Sequence, residues 1–332
     1  MNEKIFRVAL VGCGVIAKNH LAALAGLPTV EIVALCDLVR ERAERARDAF
    51  APQARVYEDY ATMLDAEHPD AVHIATPHFL HAPMAIEALG RDIFVFLEKP
   101  QVMTEEQIPA LLDAEARSKA KVCVCFQNRT NPAVAEAKRI VREDGGVISA
   151  YGAVVWERSE AYYRADEWRG KIATEGGGAL INQAIHTVDL LCYFLGKPEK
   201  VEATVANHHL KGVIGVEDTA EVYITFCSGA VACLFATTAL PRMDLTSLRL
   251  CTAHRRIELR GDRLFVDDKE VLNAPQAQLG KACYGNGHER LIPAFYNAIA
   301  KGAPMPISAE SARDALRVVL AADRSRGEIV QL

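Results

Sequence analysis

Two segments far apart in the chain carry side chains suited to proton transfer. Lys99 ends a short apolar run and precedes Pro100, a setting in which burial and neighbouring charge can tune the pKa of an amine. Asn182 and His186 are four residues apart in a helical pattern, so they share one helix face and can meet one small ligand. A surface lysine and a structural histidine are the alternatives.

The start of the histidine helix is rich in glycine. Gly176, Gly177 and Gly178 precede it, and glycines let another chemical group approach the backbone closely. Asp189, three residues beyond His186, is placed to hold or orient the imidazole. This pattern favours a catalytic role for His186.

A glycine turn near the start of the chain predicts a dinucleotide site. The apolar run 5–11 leads into a G-x-G-x-x-A turn that contains Gly12 and Gly14, and a helical pattern follows. Gly12 allows the tight turn, Gly14 lets the backbone approach the phosphates, and the helix N-terminus faces the anion. Val15 and Ile16 are expected beside the cofactor. An ordinary strand–helix turn is the alternative.

An acidic residue follows at the distance where an adenosine ribose would bind. The apolar run 30–36 ends at Asp37, whose carboxylate is expected to accept hydrogen bonds from the ribose and to repel a 2′-phosphate. This favours NAD. Arg40 and Arg42 lie close enough to soften the preference, so NADP remains an alternative.

A third polar segment ends another strand. Thr76 and Pro77 follow the apolar run 71–75 and are expected to flank the dinucleotide, because carboxyl ends of parallel strands line the cofactor crevice. His78 and His81 come next, and two alternatives stay open for both: a place beside the cofactor, predicted here for His81, or exposure at a helix start.

Composition excludes several other classes of function. The chain has 332 residues, half of them hydrophobic, and a formal net charge of −5, which is enough length for two domains. The mixed charges give no reason to expect nucleic acid as a partner, and no apolar run approaches the ~20 residues that cross a bilayer. The N-terminus does not resemble a signal peptide.

Nine cysteines lie at scattered positions, unlike a disulfide framework. Cys13, Cys36, Cys227 and Cys233 lie in apolar strand-like runs and are expected to be core residues. Cys123 and Cys125 form a C-x-C without a companion cluster, so buried thiols are expected and no metal is predicted. A reducing cytoplasm is the consistent compartment.

The order of elements predicts two domains. Alternating strands and helices over 1–126 predict a doubly wound parallel sheet, a Rossmann domain. Its predicted strands are 5–11, 30–36, 71–75, 92–97 and 121–126, and its helices include 39–50, 80–90 and 104–120.

Residues 127–332 are predicted to form an α+β domain with a large, mostly antiparallel sheet, because consecutive strands are joined by hairpin-like turns such as Ser228-Gly229. Its predicted strands are 147–157, 200–209, 217–227, 230–239, 246–252 and 255–260, and its helices are 132–142, 179–195, 287–301 and 309–325.

With these segments placed, the chain resembles the glucose–fructose oxidoreductase / inositol dehydrogenase / MocA (Gfo/Idh/MocA) oxidoreductase family. The resemblance runs nearly end to end. Its motifs are G-x-G-x-x-A, Asp37, Thr76-Pro77, Glu98-Lys99-Pro100, Gly176-Gly177-Gly178, His186-Thr187-Val188-Asp189 and Glu217-Asp218-Thr219.

The resemblance implies a nucleotide-binding domain followed by a domain with a large open sheet, with the nicotinamide at their junction. Such proteins are usually homodimers or homotetramers through that sheet. Most act on a secondary alcohol of a sugar, cyclitol or sugar derivative.

Residue by residue, Lys99 matches the active-site lysine of the family and His186 its catalytic histidine. Asn182 stands where inositol dehydrogenase-like members have aspartate. Because an amide cannot take a proton, proton transfer falls to His186 or Lys99. Further residues implied at the cofactor or substrate are Glu98, Arg129, Trp168 and Arg169, with Tyr162 and Tyr163 stacking on a sugar face. Core packing is the alternative for Trp168.

The expected function is NAD(P)-dependent hydride transfer between nicotinamide and a secondary hydroxyl or ketone of a sugar, glycoside or cyclitol. Two alternatives stay open. One is redox-neutral glycoside cleavage through a transient keto-sugar, and the other is a non-catalytic sensor of a dinucleotide or sugar. Loops 158–174 and 275–287 are expected to line the substrate pocket.

Overall fold

The computed structural model describes residues 4–240, 246–273 and 287–332. The chain divides into two compact units. The first comprises Met1–Val102, Glu106–Gln127 and His288–Ala312, and the second comprises Met103–Glu105, Asn128–Gly287 and Arg313–Leu332. The sequence had predicted His288–Ala312 in the second domain, whereas its packing places it in the first unit.

Strands and helices alternate through the first part of the chain. In order they are β1 (Phe6–Val11), α1 (Ala17–Ala25), β2 (Val30–Cys36), α2 (Arg40–Phe50), β3 (Arg55–Tyr57), α3 (Tyr60–Glu67), β4 (Ala71–Ile74), α4 (His81–Leu89), β5 (Phe94–Leu97), α5 (Gln107–Arg117) and β6 (Val122–Val124).

These six strands form a parallel sheet in the order β3-β2-β1-β4-β5-β6, which confirms the predicted Rossmann sheet. β4 is buried along its whole length, as a strand covered on both faces by helices must be. The strand order reverses between β1 and β4, and ligands of such sheets bind beyond the carboxyl ends at that point. The glycine turn and Thr76 follow these two strands.

Two elements of this sheet domain were not predicted, β3 and α3. β3 has only three residues and begins with the exposed Arg55 at the edge of the sheet. A run this short carries too few apolar residues to show a strand pattern.

The second part of the chain is richer in strands. In order its elements are α6 (Pro132–Glu143), β7 (Ser149–Val155), α7 (Glu160–Arg164), α8 (Ile172–Glu175), α9 (Ile185–Leu195), β8 (Pro198–Ala206), β9 (Thr219–Phe226), β10 (Val231–Thr237), β11 (Ser247–Cys251), β12 (Arg256–Arg260), β13 (Arg263–Val266), β14 (Lys269–Asn273), α10 (His288–Lys301), α11 (Ala309–Ser325) and β15 (Val330–Gln331).

All nine described strands of this part form one sheet in the order β14-β13-β12-β11-β7-β10-β9-β8-β15. Among the described strands of this second sheet, only β7 and β10 pair in parallel, so the mostly antiparallel sheet is confirmed. The predicted hairpin is confirmed too: Gly229 has φ +84° between β9 and β10. β13, β14, β15, α7 and α8 were not predicted.

The predicted helix 179–195 is interrupted. Leu180–Ala184 forms a π-helical turn, and α9 begins at Ile185. Single π turns within α-helices are frequent at functional sites, and this one contains Asn182.

Two cysteines contradict their predicted place in the core. Cys227 and Cys233 are exposed and Cys13 is partly exposed, whereas Cys36, Cys123 and Cys125 are buried. Cys233 lies on β10, where buried and outward-facing residues alternate, so its apolar neighbours in sequence point to the opposite face. Within the described part of the chain, no helix combines the length and apolar composition that crossing a bilayer requires.

Candidate active site

The two glycines of the first turn have different roles. Gly12 has φ +89°, and a Cβ there would lie 2.5 Å from the carbonyl oxygen of Ala75, so the fold itself requires glycine. A Cβ at Gly14 would meet no heavy atom of the described residues within 4 Å. The backbone at Gly14 is therefore approachable from outside, which fits the pyrophosphate of a dinucleotide. Val15, 64% exposed, follows in the same turn with the half-buried Ile16.

Asp37 lies directly beside this turn. Its Oδ2 accepts a hydrogen bond from the Cys13 backbone N–H at 2.8 Å, and its Oδ1 accepts one from the Val39 N–H at 2.8 Å. The carboxylate is thus oriented at the end of β2, where the ribose of a dinucleotide binds in this fold.

Arg40, which could have softened the preference for NAD, is already paired. Its guanidinium donates to Glu44 at 3.0 Å and to Glu58 at 3.2 Å. A 2′-phosphate beside Asp37 would have to compete with these two carboxylates for it.

His81 ties together the ends of β4 and β5. Its Nδ1 lies 2.7 Å from the Pro100 carbonyl oxygen and its Nε2 lies 2.8 Å from that of Thr76. Burial lowers the pKa of His81, although both carbonyls favour the protonated ring. The structure therefore gives His81 a positioning role, since both ring nitrogens bind backbone. The alternative of exposure is wrong for His78 and His81, which are 4% and 1% exposed.

Glu98 is buried beneath the turn that carries Lys99. Its Oε1 accepts from His20 Nε2 at 2.9 Å and lies 3.4 Å from His288 Nε2, while Oε2 accepts from the Lys99 N–H at 3.2 Å. Burial alone would raise the pKa of Glu98, but the hydrogen bonds to the two histidines hold it well below its ordinary value. The carboxylate expected beside the cofactor instead anchors the backbone of Lys99, which is itself partly exposed. The Lys99–Pro100 peptide is cis.

Cys125 joins this buried network, which the sequence did not predict because its members come from four separate segments. Ligand atoms of His20, Glu98, Cys125 and His288 lie within 4.8 Å of one another. The 2.9 Å between His20 and Glu98 is shorter than the roughly 3.3 Å that separates two ligands of one tetrahedral zinc. The distance between His20 and Glu98 is that of a hydrogen bond.

In the second unit, Asn182 and His186 stand out by exposure. From 177 to 192 every residue is buried except these two, which are partly exposed. The predicted shared face is therefore the side of this segment that solvent and a ligand can reach.

The glycines before this segment serve the protein's own packing. A Cβ on Gly178 would lie 1.9 Å from the Glu217 carbonyl oxygen. The Glu217 carboxylate also accepts from the N–H groups of Gly178 at 2.8 Å and Leu180 at 2.9 Å. The group that approaches this backbone closely is thus Glu217, a residue of the predicted Glu217-Asp218-Thr219 motif.

Glu175 is a site residue that the sequence did not single out. It is 1% exposed, its Oε1 accepts from Asn182 Nδ2, and its Oε2 accepts from the Gly170 N–H at 2.5 Å. A carboxylate can only accept, so it fixes which end of the Asn182 amide faces it. An acid at the end of a short helix, seven residues before Asn182, gave no recognisable signal.

Asp189 and Arg129 bind each other. Arg129 Nε and Nη2 donate to the two carboxylate oxygens of Asp189 at 2.8 and 2.5 Å. Burial raises the pKa of Asp189, although Arg129 acts in the opposite direction. The expectation that Asp189 orients His186 is thereby corrected, and the guanidinium expected at the cofactor or substrate is held by this buried pair.

The aromatic residues of the loop 158–174 separate into two groups. Tyr163 is 4% exposed and packs with Leu210, Ile214 and Val216, which corrects its expected place on a sugar face. Tyr162 is half-buried, and its hydroxyl accepts from Arg169 at 2.5 Å. The guanidinium of Arg169 also lies 4.6 Å from the Trp168 ring centre. The other predicted loop, 275–287, lies outside the described residues except for Gly287.

Comparisons with known proteins place this architecture in a family. Residues 6–126 match the model of an oxidoreductase family with an NAD-binding Rossmann fold, and residues 134–264 match the GFO/IDH/MocA C-terminal domain. D-apiose dehydrogenase of Paraburkholderia graminis is 30% identical over 231 residues, which span 69% of this chain and 60% of that protein.

Two further similarities cover nearly the whole chain. D-glucoside 3-dehydrogenase of Escherichia coli is 26% identical over 331 residues, 93% of this chain and 91% of that protein. The WlbA dehydrogenase of Bordetella pertussis, solved in complex with NADH and UDP-GlcNAcA, is 28% identical with a TM-score of 0.89, over 100% of this chain and 99% of that one. The chain belongs to the Gfo/Idh/MocA oxidoreductase family, and its first domain is the NAD-binding Rossmann domain of that family.

Proposed function

We propose that this protein is an NAD-dependent oxidoreductase that transfers a hydride between the nicotinamide and a secondary hydroxyl or ketone of a sugar, glycoside or cyclitol. The observation that carries the proposal is the pair Asn182 and His186, partly exposed on an otherwise buried segment. The relatives named above as sugar and glycoside dehydrogenases support the same reaction class.

In the oxidative direction, His186 accepts the proton of the substrate hydroxyl as a general base, a contribution of about 100- to 10,000-fold. The ammonium of Lys99 stabilises the negative charge that develops on the same oxygen. Asn182, held by Glu175, positions the hydroxyl without taking its proton. A bound nicotinamide would supply the acceptor for the hydride that leaves the carbon, so proton and hydride are both accounted for.

NAD rather than NADP is supported by Asp37 beside the glycine turn and by the pairing of Arg40 with two glutamates. A cytoplasmic location is supported by eight cysteines that are free thiols in the described residues.

A homo-oligomer through the nine-stranded sheet is the proposed assembly. Tyr151, Cys233 and Tyr223 lie side by side on β7, β10 and β9, and all three are exposed on one face of the sheet. A second copy covering this face would bury both aromatic rings.

The replacement His186→Ala tests the mechanism on a panel of free sugars, cyclitols, glycosides and nucleotide sugars, followed by nicotinamide absorbance. The kcat on the preferred substrate is expected to fall at least about 100-fold, while the Kd for NAD stays within about twofold of wild type, because the imidazole acts on the substrate.

His208→Ala is the control, since His208 is an exposed histidine of the same unit. If Lys99 and His186 act on one oxygen, the losses caused by Lys99→Ala and His186→Ala will not add in the double variant. Normal turnover by His186→Ala would contradict the mechanism, and product release without net NADH would favour redox-neutral cleavage.

A further inference from the structure

Two arginines and three aromatic residues of the second unit form a stacked cluster. The guanidinium carbon of Arg158 lies 5.0 Å from the Trp156 ring centre and 4.9 Å from that of Tyr162. The guanidinium carbon of Arg169 lies 4.5 Å from Tyr162 and 4.6 Å from Trp168. Such stacking holds a guanidinium plane in place but does not neutralise its charge.

The two guanidinium groups differ in whether a carboxylate pairs with them. Arg169 donates to the Asp166 carboxylate at 2.9 Å and to the Tyr162 hydroxyl. Arg158 donates to the backbone carbonyl of Glu157 at 2.7 Å, and no described carboxylate forms an ion pair with it. Arg158 is 8% exposed, and its Nε is buried without a hydrogen-bond partner. A buried cation without a counter-ion is costly.

A second donor without a partner lies next to it. The indole Nε1 of Trp156 is buried and has no acceptor, and Trp156 is itself 8% exposed. Backbone hydrogen bonds to Thr237 and Thr238 hold Trp156 and Arg158 in extended chain continuing β7, so the two side chains point to the same face. Two buried donors side by side call for an acceptor with several lone pairs.

The cluster adjoins the proposed catalytic residues of the same unit. Arg169 is followed by Gly170, whose N–H donates to Glu175, and Glu175 in turn accepts from Asn182. One buried carboxylate therefore links this loop to Asn182, and that carboxylate is already engaged by these two donors.

We infer that the substrate carries an anionic group, a carboxylate or a phosphate, and that Arg158 binds it together with the indole N–H of Trp156. This inference rests on the proposed function and names the class of sugar that the site accepts. A guanidinium is suited to both groups because its parallel N–H bonds match two oxygens of one anion.

Tryptophan fluorescence gives a readout that does not depend on turnover. The chain has two tryptophans, Trp156 and Trp168, and both lie in this cluster. NAD-saturated protein is titrated with glucuronate, glucose 6-phosphate, UDP-glucose and uncharged glucose. At least one anionic probe is expected to bind more tightly than glucose, and the probe that does so distinguishes carboxylate from phosphate recognition.

Arg158→Gln is expected to weaken binding of that anionic probe by about 10- to 100-fold and to change glucose binding by less than about twofold. The control is Arg164→Gln on the same loop, because Arg164 is 71% exposed and pairs with Glu160; it should change neither affinity. Arg158→Lys, which keeps the charge but loses the fork, is expected to retain part of the affinity and serves if the glutamine variant does not fold.

The inference is overturned if Arg158→Gln binds every probe as wild type does, or if no anionic probe binds better than glucose. NADH formation, measured in the same samples, tests the proposed function separately. Oxidation of neutral sugars without an anion preference would support the proposed dehydrogenase function and contradict the anion site. Anion binding that depends on Arg158 without NADH formation would support the anion site and contradict the proposed function.

Discussion

At the scale of single residues, the buried carboxylate of Glu175 explains why an amide fits at position 182. An aspartate at 182 would place two carboxylates against each other, since Glu175 already contacts this position from a buried site. The amide instead offers Glu175 a donor, and the negative charge of the pair lies on Glu175. Asn182 and Glu175 thus form one hydrogen-bonded pair of an amide and an acid.

Asn182→Asp is therefore expected to lower kcat at least about tenfold at neutral pH, because two adjacent carboxylates cannot both ionise readily. One member of the pair will have a raised pKa, so the activity that remains should fall as pH rises through that value. The pH profile of kcat measures this.

The double variant Glu175→Gln, Asn182→Asp is expected to recover most of the activity. The new glutamine amide can donate to the new carboxylate at position 182, and its carbonyl can still accept from the Gly170 N–H. Both hydrogen bonds are therefore preserved, and only the one between positions 175 and 182 reverses its direction. If the double variant is no better than Asn182→Asp alone, the two side chains do not act as a pair.

At the scale of elements, the fold requires one glycine of the first turn, Gly12, whereas the proposed ligand requires the other, Gly14. Gly12 combines a left-handed backbone with close contact to the end of β4, whereas the backbone of Gly14 lies outside the left-handed region and a methyl group there would meet no described atom. The motif does not distinguish the two glycines, yet only at Gly12 does the protein's own structure require glycine.

Gly12→Ala is expected to lower the free energy of unfolding by at least about 1–3 kcal/mol, because of its backbone conformation and the contact with Ala75. Gly14→Ala should unfold like wild type within about 0.5 kcal/mol but bind NAD at least about tenfold more weakly, since its methyl group would meet the pyrophosphate. Urea denaturation and NAD titration of both variants test this. Unchanged NAD affinity in Gly14→Ala would contradict the assigned cofactor loop.

A second element-level feature is the buried carboxylate of Glu217, which binds the backbone of the glycine-rich turn. Burial raises the pKa of Glu217 to about 7, while hydrogen bonds from the N–H groups of Leu180 and Gly178 oppose the shift. An acid with a raised pKa in the folded state favours folding in its protonated form. The contribution of Glu217 to the free energy of unfolding is present at low pH and is lost as pH rises from about 4.5 through about 7.

Stability measurements from pH 5 to 8 on wild type and Glu217→Gln check this point. The glutamine cannot ionise, so the variant should gain stability relative to wild type by an amount on the order of 3 kcal/mol across this range. Glu328→Gln, at an exposed position, is the matched control and should show no such trend. A difference between wild type and Glu217→Gln that does not vary with pH would show that Glu217 stays ionised throughout.

At the scale of the whole molecule, the nine-stranded sheet has a row of side chains running across its strands. Arg249, Tyr151, Cys233, Tyr223 and Glu202 lie side by side on β11, β7, β10, β9 and β8. Tyr151 and Tyr223 are each 42% exposed. The proposed second copy of the chain would cover this partly aromatic row, and an isologous contact would repeat each interaction twice.

Tyr223→Glu is expected to shift the protein from an oligomer to a monomer, since it removes an aromatic ring and adds a charge next to Glu202. Light scattering coupled to gel filtration measures the mass. Lys211→Glu, a charge change at an exposed loop position of the same unit, should leave the mass unchanged. A wild-type protein that runs as a monomer would remove the proposed interface.

The sequence predicted most of the elements because their patterns are local. The apolar runs of β1, β2, β4 and β5 lie within a few residues of their predicted bounds, and so does α11. Short elements escaped: β3 has three residues, and α7 and α8 lie in a loop that carries no helical periodicity. The exposure of Cys233 was missed because a strand's apolar composition does not reveal which of its two faces is covered.

By itself, the sequence determined the strand–turn–helix order, the glycine motif and the positions of Lys99, Asn182 and His186, because turn chemistry and periodicity act between neighbours in the chain. Only the tertiary structure decided which groups meet around the site. It places Glu217 against Gly178, pairs Asp189 with Arg129 and Glu175 with Asn182, and leaves Arg158 without a carboxylate among the described residues. These pairings join residues whose separation in sequence carries no signal, since burial and charge are set by whatever the fold brings into contact.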